Sequence, residues 1–326
     1  MPLALCDDIV TIVCVFDNAR GQAMRLDWLV WSNPVAIWWS FLILVSVGNI
    51  ALLLRLHLRF RRTSLRKRAG ALAAEPLLLL GAAYVIGCAF RSVLPRADVQ
   101  RICLFDTWLS SVFVGRSVAT VAELCFIVQW AIVLRALAQA ANADTARNIA
   151  KTIVPVVALA EACSWYAVIT TNYLGNVLEN SLWTVAFVLI AIAVLDLLNR
   201  YRGAVKFTLI GAAVGIAGYV AFMCTVDVPM YFVRWQAELA AGRQFFGLLS
   251  GLHDVATRWV VTHDAARWDG EIVWMSLYFS AAVWTSLLLA SFGLVRHLVP
   301  RYRLDRRPPK PIARPLAVPI RSRPPT

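Results

Sequence analysis

Arg116, Thr120 and Glu123 stand together in GRSVATVAEL, residues 115–124, inside a long apolar run. On a helix they fall, with Ile127, within about 60° of one another. A charged side chain at the centre of a bilayer costs roughly 3 kcal/mol or more, so such groups face protein or a water-filled cavity and mark candidate sites. Arg116 and Glu123 are two turns apart, about 10.5 Å along the axis. That spacing argues against a direct pair within the helix and sends each group to a partner elsewhere. The next apolar stretch carries EACSWY, which places Glu161 near mid-membrane with Ser164 and Trp165 one turn outward. Antiparallel packing of these two helices, favoured by a short connection, brings Arg116 within reach of Glu161. Beyond it Asn172, Asn176, Glu179 and Trp183 recur at helical spacing, with Asn180 alongside. The chemistry expected of this set is a polar funnel leading from the outer surface to Arg116, Glu123 and Glu161, with Arg91 and Asp106 at its rim. Its ligand would be polar or anionic, or a lipid headgroup, bound or translocated.

A second set comes from a short echo, HDVATRW at 253–259 and HDAARW at 263–268. His253, Asp254, His263 and Asp264 are residue types that ligate metals or move protons. Ten residues on one straight helix separate the two histidines by about 15 Å. A metal shared by His253 and His263 therefore requires a break near Thr262, with Thr262 or Asp264 capping a new helix. A membrane-embedded enzyme acting on a lipid-linked substrate is the alternative function this set implies, with these four residues as its catalytic candidates. No phosphate-binding loop, nucleophile elbow, zinc-protease helix or dinucleotide glycine pattern is present, so no cofactor is named. A retinal Schiff base needs a lysine inside the bundle, and Lys206 lies at a helix end. A third reading is a scaffold or assembly protein whose basic tail recruits a partner.

The elements that must hold these residues follow from composition. Of 326 residues 60% are hydrophobic and only 16% charged, with a mean hydropathy of +0.66. This predicts an all-α, polytopic membrane helix bundle. Seven apolar windows fit a crossing: 34–54, 76–94, 108–134, 151–171, 182–199, 207–227 and 272–296. Of the 32 Lys and Arg residues, 22 follow the first, third, fifth and seventh windows, including nine from Arg296 to Arg323. By the positive-inside rule the N-terminus lies outside and the C-terminus in the cytoplasm. The net charge of +13 thus reads as topology plus attraction of the basic loops and tail to anionic lipid headgroups, and not as a nucleic-acid surface. Arginine outnumbers lysine heavily, a usage that favours a bacterial cytoplasmic membrane.

Residues 1–33 form an outer lead-in, interrupted by Asp7, Asp8 and Asp17 and lacking the cationic start of a signal peptide. The membrane domain spans 34–299, and 300–326 is a proline-rich basic tail, expected to be disordered. The connection 228–271 repeats Leu239, Phe246, Leu249, Leu252, Val255 and Trp259 at helical spacing, which predicts an interfacial or re-entrant helix. Cys6, Cys14 and Cys103 fall on the outer side, and their spacing selects no disulfide pair.

Overall fold

The structure, a computed structural model, describes residues 28–29, 32–66, 75–295 and 302–303. The lead-in through residue 27, with Cys6 and Cys14, and the tail beyond residue 303 lie outside the described residues. The chain is an all-α integral membrane bundle with seven helices long and apolar enough to cross a bilayer. The first five spans are α1 (Pro34–Arg66), α2 (Glu75–Val93), α3 (Val112–Ala141), α4 (Asp144–Thr170) and α5 (Tyr173–Leu198). The sixth consists of α6 (Gly203–Phe222), a π-turn at Met223–Asp227 and α7 (Val228–Ala240). A short helix α8 (Leu248–Thr257) precedes the seventh span, which is α9 (Ala265–Leu277), a π-turn at Tyr278–Ala282 and α10 (Val283–Val295).

Between apolar helices in lipid there is no hydrophobic drive to associate, so close contact rests on small residues and hydrogen bonds. The tightest seam joins α4 and α5, where Ala160, Ala167, Ala186 and Ala193 are all fully buried. A Cβ on Gly175 would come within 2.6 Å of the Ala167 methyl, so this approach admits only glycine. Helix ends are set by side chains that satisfy free backbone groups. Ser111 accepts from the Val114 amide at 3.4 Å to start α3, and Asn172 accepts from the Leu174 amide at 2.9 Å to start α5. Asn142 and Thr171 end α3 and α4 in the left-handed region, at φ 51° and 57°.

Polar contacts anchor the seventh span to the first three. Ser286 Oγ donates to Gln129 Oε1 (2.6 Å), whose Nε2 donates to the Leu77 carbonyl at 3.0 Å. Asn49 Nδ2 donates to the Phe279 carbonyl (2.9 Å) within the π-turn, and Trp284 Nε1 donates to Asn49 Oδ1 at 3.0 Å. The sixth span is held differently. Of α6 only Leu209 and Ile216 are buried, it packs on α5, and no packed seam joins it to α10. Near one end the gap is bridged by Phe222 stacked on Trp274, ring centroids 6.1 Å apart.

That end is capped by a small sheet. Strand β1 (Arg96–Ala97) pairs antiparallel with β2 (Ile102–Cys103), and β3 (Val260–Val261) joins β2 in parallel. Arg101, at φ 58°, clips the cap together. Its Nε donates to Asp254 Oδ2 on α8 at 2.7 Å, and its Nη atoms donate to the carbonyls of Asp98 and Val168, each at 2.6 Å. The other end carries the basic clusters. There Tyr302 packs over Gly203, and its carbonyl accepts from the Arg202 amide at 2.9 Å.

Several boundaries differ from the sequence windows, two of them in ways that bear on the site. The fifth span begins at Tyr173 and not at 182, because Asn172 caps it and its polar first turns face protein. The sixth runs on through 228–240, which shrinks the expected 228–271 connection to residues 241–264. Arg234, Gln236 and Glu238 depress the hydropathy of that extension, and Pro229 marks it as a break. The π-turn just before Pro229 accommodates the proline's missing amide while the helix continues. The single amphipathic face expected through Leu239 and Trp259 is likewise divided, since Gly242 at φ 65° ends α7. On α8 Leu249 is 85% exposed while Val255 is fully buried.

Candidate functional site

Arg116 enters the bundle from the second turn of α3, and its Nη2 lies 3.0 Å from Glu123 Oε2, 2.5 Å from Glu161 Oε2 and 3.5 Å from Glu179 Oε1. The expectation that Arg116 and Glu123 are too far apart to pair is corrected here. The 10.5 Å axial separation applies to backbones, and two long side chains laid along one helix face close it. The bridge to Glu161 is present as the antiparallel packing of α3 and α4 requires. Around this centre Thr120 Oγ1 donates to Glu161 Oε2 (2.7 Å), Tyr278 OH to Glu123 Oε1 (2.9 Å) and Asn176 Nδ2 to Glu179 Oε2 (3.2 Å). Oxygens of the three glutamates lie within 4.8 Å of one another, an arrangement that suits a cation. The cation they share is the Arg116 guanidinium, which gives buried carboxylates the partner that their desolvation demands.

A cavity of about 1080 Å³ runs from this cluster down the bundle. Its wall near the cap includes Arg91, Asp98, Arg116, Glu123 and Glu179; its middle is aromatic, with Tyr219, Tyr231, Trp274 and Tyr278. Toward the basic end it is lined by Leu134, Leu137, Val194 and Leu209, and Tyr302 stands at its floor. Gly211, Gly215 and Gly218 of α6 line it too, and a Cβ at any of them would meet open space.

The sequence-derived candidates divide into those that share this cavity and those that do not. Arg91, Arg116, Glu123, Asn176 and Glu179 line it, and Glu161 braces Arg116 from behind. Asn172 is a helix cap outside the lining, and Asp106 accepts from Trp259 Nε1 at 2.8 Å on the exposed surface of the cap. His253 is exposed on α8 beside Thr257, whereas His263 stacks on Trp28 at 4.3 Å and contacts the Leu104 carbonyl at 2.9 Å. Asp254 accepts from Arg101, and Asp264 caps α9 by accepting from the Ala266 amide at 3.1 Å. Among the described residues these four do not converge as a metal-ligand group. The break near Thr262 does occur, but it directs the two histidines to different environments.

Four residues of the cavity wall escaped the sequence reading: Arg96, Asp98, Asp227 and Glu271. Arg96 Nε donates to Asp98 Oδ1 at 2.8 Å, its Nη1 donates to the Ser111 carbonyl, and Arg91 Nη2 lies 3.8 Å from Asp98 Oδ2. Burial alone would raise the Asp98 carboxyl, but the guanidiniums of Arg96 and Arg91 outweigh it and hold it below the ordinary carboxylate value. Burial also lowers Arg96 to about 10, against the pull of Asp98. Asp227 sits in the π-turn of the sixth span and accepts from Asn180 Nδ2 at 2.5 Å; Glu271 in α9 accepts from Gln100 Nε2 at 3.2 Å. The signal available beforehand was a lone acid in or beside an apolar window. Comparison of the chain with known protein families, curated proteins and solved structures gives no match.

Proposed function

We propose that this integral membrane protein binds an amphipathic membrane lipid, taken in sideways between the sixth and seventh spans. The observation that carries this reading is the cavity itself, charged near the capped end and apolar toward the basic end. Such a gradient matches a molecule with a polar head and a hydrocarbon chain, and pockets of this size bury most of a ligand's surface. The α6 wall supports lateral entry. It is joined to α10 by no packed seam, and the hydroxyl of Thr208 turns back to its own backbone, donating to the Ala204 carbonyl at 3.0 Å. With the capped end outside, as the charge distribution favours, the head lies on the extracytoplasmic side. Binding is the core of the proposal, and translocation would require α6 to move.

Truncating Arg116 is a poor test, because three buried carboxylates would lose their shared cation at a cost of roughly 3–5 kcal/mol. Filling the cavity is cleaner. Gly215→Leu adds a side chain into open space on a helix whose backbone accepts it, so the protein should keep its thermal midpoint. Its content of co-purifying lipid, measured by mass spectrometry after mild detergent extraction, should fall at least about tenfold, equivalent to 1.4 kcal/mol of lost binding. Equal lipid content in Gly215→Leu and the parent protein would reject the reading.

A further inference from the structure

Resting on that lipid-binding reading, we infer that the headgroup is zwitterionic, a phosphate linked to an ammonium, each recognised by its own wall of the cavity. The first observation is a charge imbalance. Counting Glu161 with the lining, and Arg234 beside it, six carboxylates face four arginines. Asp227 and Glu271 with Arg234 hold one of the two surplus charges, and Asp98, Glu123, Glu161 and Glu179 with Arg91, Arg96 and Arg116 hold the other. Asp227 and Glu271 are only 3% and 7% exposed and come from different spans. Each accepts a neutral amide hydrogen bond, and among the described residues neither has an ion pair within 4.0 Å. Arg234, a cation that acts on both, lies against Gly270 and over the rings of Tyr173 and Tyr231, at 5.9 and 5.6 Å. Two buried carboxylates that share one arginine and pair with it at neither oxygen are costly, and here they share the cavity with the Trp274 ring, while Arg234 covers that of Tyr231. Carboxylates and aromatic faces together are what hold an ammonium.

The second observation is a donor without a partner, on Arg116 near the cap. Arg116 is 6% exposed, lines the cavity and has an Nε with no hydrogen-bond partner among the described residues. Arg91 lines it as well, with the long 3.8 Å approach to Asp98 as its ion pair. A guanidinium with a free donor suits a phosphate oxygen. A purely anionic headgroup would accept from this donor and worsen the repulsion at Asp227 and Glu271; a simple amine would relieve that repulsion and leave the donor unpaired. A phospho-ammonium head answers both.

The test is retention by the full-length protein, in detergent, of dioleoyl phosphatidylethanolamine against dioleoyl phosphatidylglycerol, offered together in equal amounts and read by native mass spectrometry. The parent should retain the amine lipid about tenfold over the other, the scale of a desolvated cation–aromatic contact. The isosteric Asp227→Asn, Glu271→Gln double variant should bring that ratio to about one. Equal retention of both lipids by the parent, or preference for the glycerol lipid, would overturn the headgroup assignment and leave the lipid-binding reading standing. Retention of neither would overturn that underlying reading. Release of the amine lipid by glycerophosphoethanolamine, which has no chains, at matched concentration would assign the site to a soluble phospho-ammonium compound and overturn the lipid source.

Discussion

Asp98 shows how a single carboxyl makes the cap sensitive to acid. Its value in the folded protein is below the ordinary one because Arg96 and Arg91 outweigh the effect of burial. The folded value is the depressed one, so the stability it contributes is complete above about pH 4, near the unfolded value, and is lost as pH falls through the lower folded value. The thermal midpoint of the purified protein should therefore drop on acidification, and Asp98→Asn should flatten part of that drop. The same variant should be less stable at neutral pH by roughly 3–5 kcal/mol, because the Arg96 charge stays buried without its counter-charge. Identical acid profiles for both proteins would mean that the Arg96–Asp98 pair does not set the dependence. Cys103, on the neighbouring strand, is driven the other way, since burial pushes its thiol up to about 12; at neutral pH it packs as a small apolar side chain.

At the scale of elements, the meeting of cap and bundle depends on the absence of one side chain. The Arg96 guanidinium lies so close to Gly115 that any Cβ there would overlap it. On an open helix Gly→Ala stabilises by about 1 kcal/mol. In α3 the sign should reverse: Gly115→Ala must displace Arg96 from Asp98 and Ser111, and a fall of at least about 2 kcal/mol is expected in chemical unfolding. A stabilised variant would show that the guanidinium moves aside without loss. The seven helices were legible in the sequence because each presents a long apolar run, and Arg116, Glu123 and Glu161 were legible because charge inside such a run has to be answered. What was not legible depends on neighbours. Asn172 and Asp106 look like members of a funnel until a cap and a Trp259 partner account for them. Asp227 looks like the end of a span until the helix continues past it, and Glu271 acquires meaning only when the seventh span turns it toward the sixth. Side-chain reach, not helix pitch, decided the pairing of Arg116 with Glu123.

For the whole molecule the distribution of charge and the architecture agree on two unlike ends. One bears the sheet, α8 and the polar mouth of the cavity, and the other bears Arg55, Arg135 and Arg200. The positive-inside argument predicts that the capped end faces out, and the basic end would then meet anionic headgroups. A cysteine placed at Ala241, exposed between α7 and α8, should react with a membrane-impermeant maleimide in intact cells. One placed at Thr145, exposed in the first turn of α4, should react only after the membrane is opened. The reverse pattern would invert the molecule in the bilayer.

The position of Tyr302 has a consequence for selectivity by length. On the lipid-binding proposal its place at the floor of the cavity, against Gly203 and hydrogen-bonded through its backbone to Arg202, would make the cavity a closed-ended ruler. A hydrocarbon chain shorter than the distance from mouth to floor lies wholly inside the protein. A longer one would have to bend out between α6 and α10 into the bilayer, so Tyr302 would be the stop against which the lipid tail is measured.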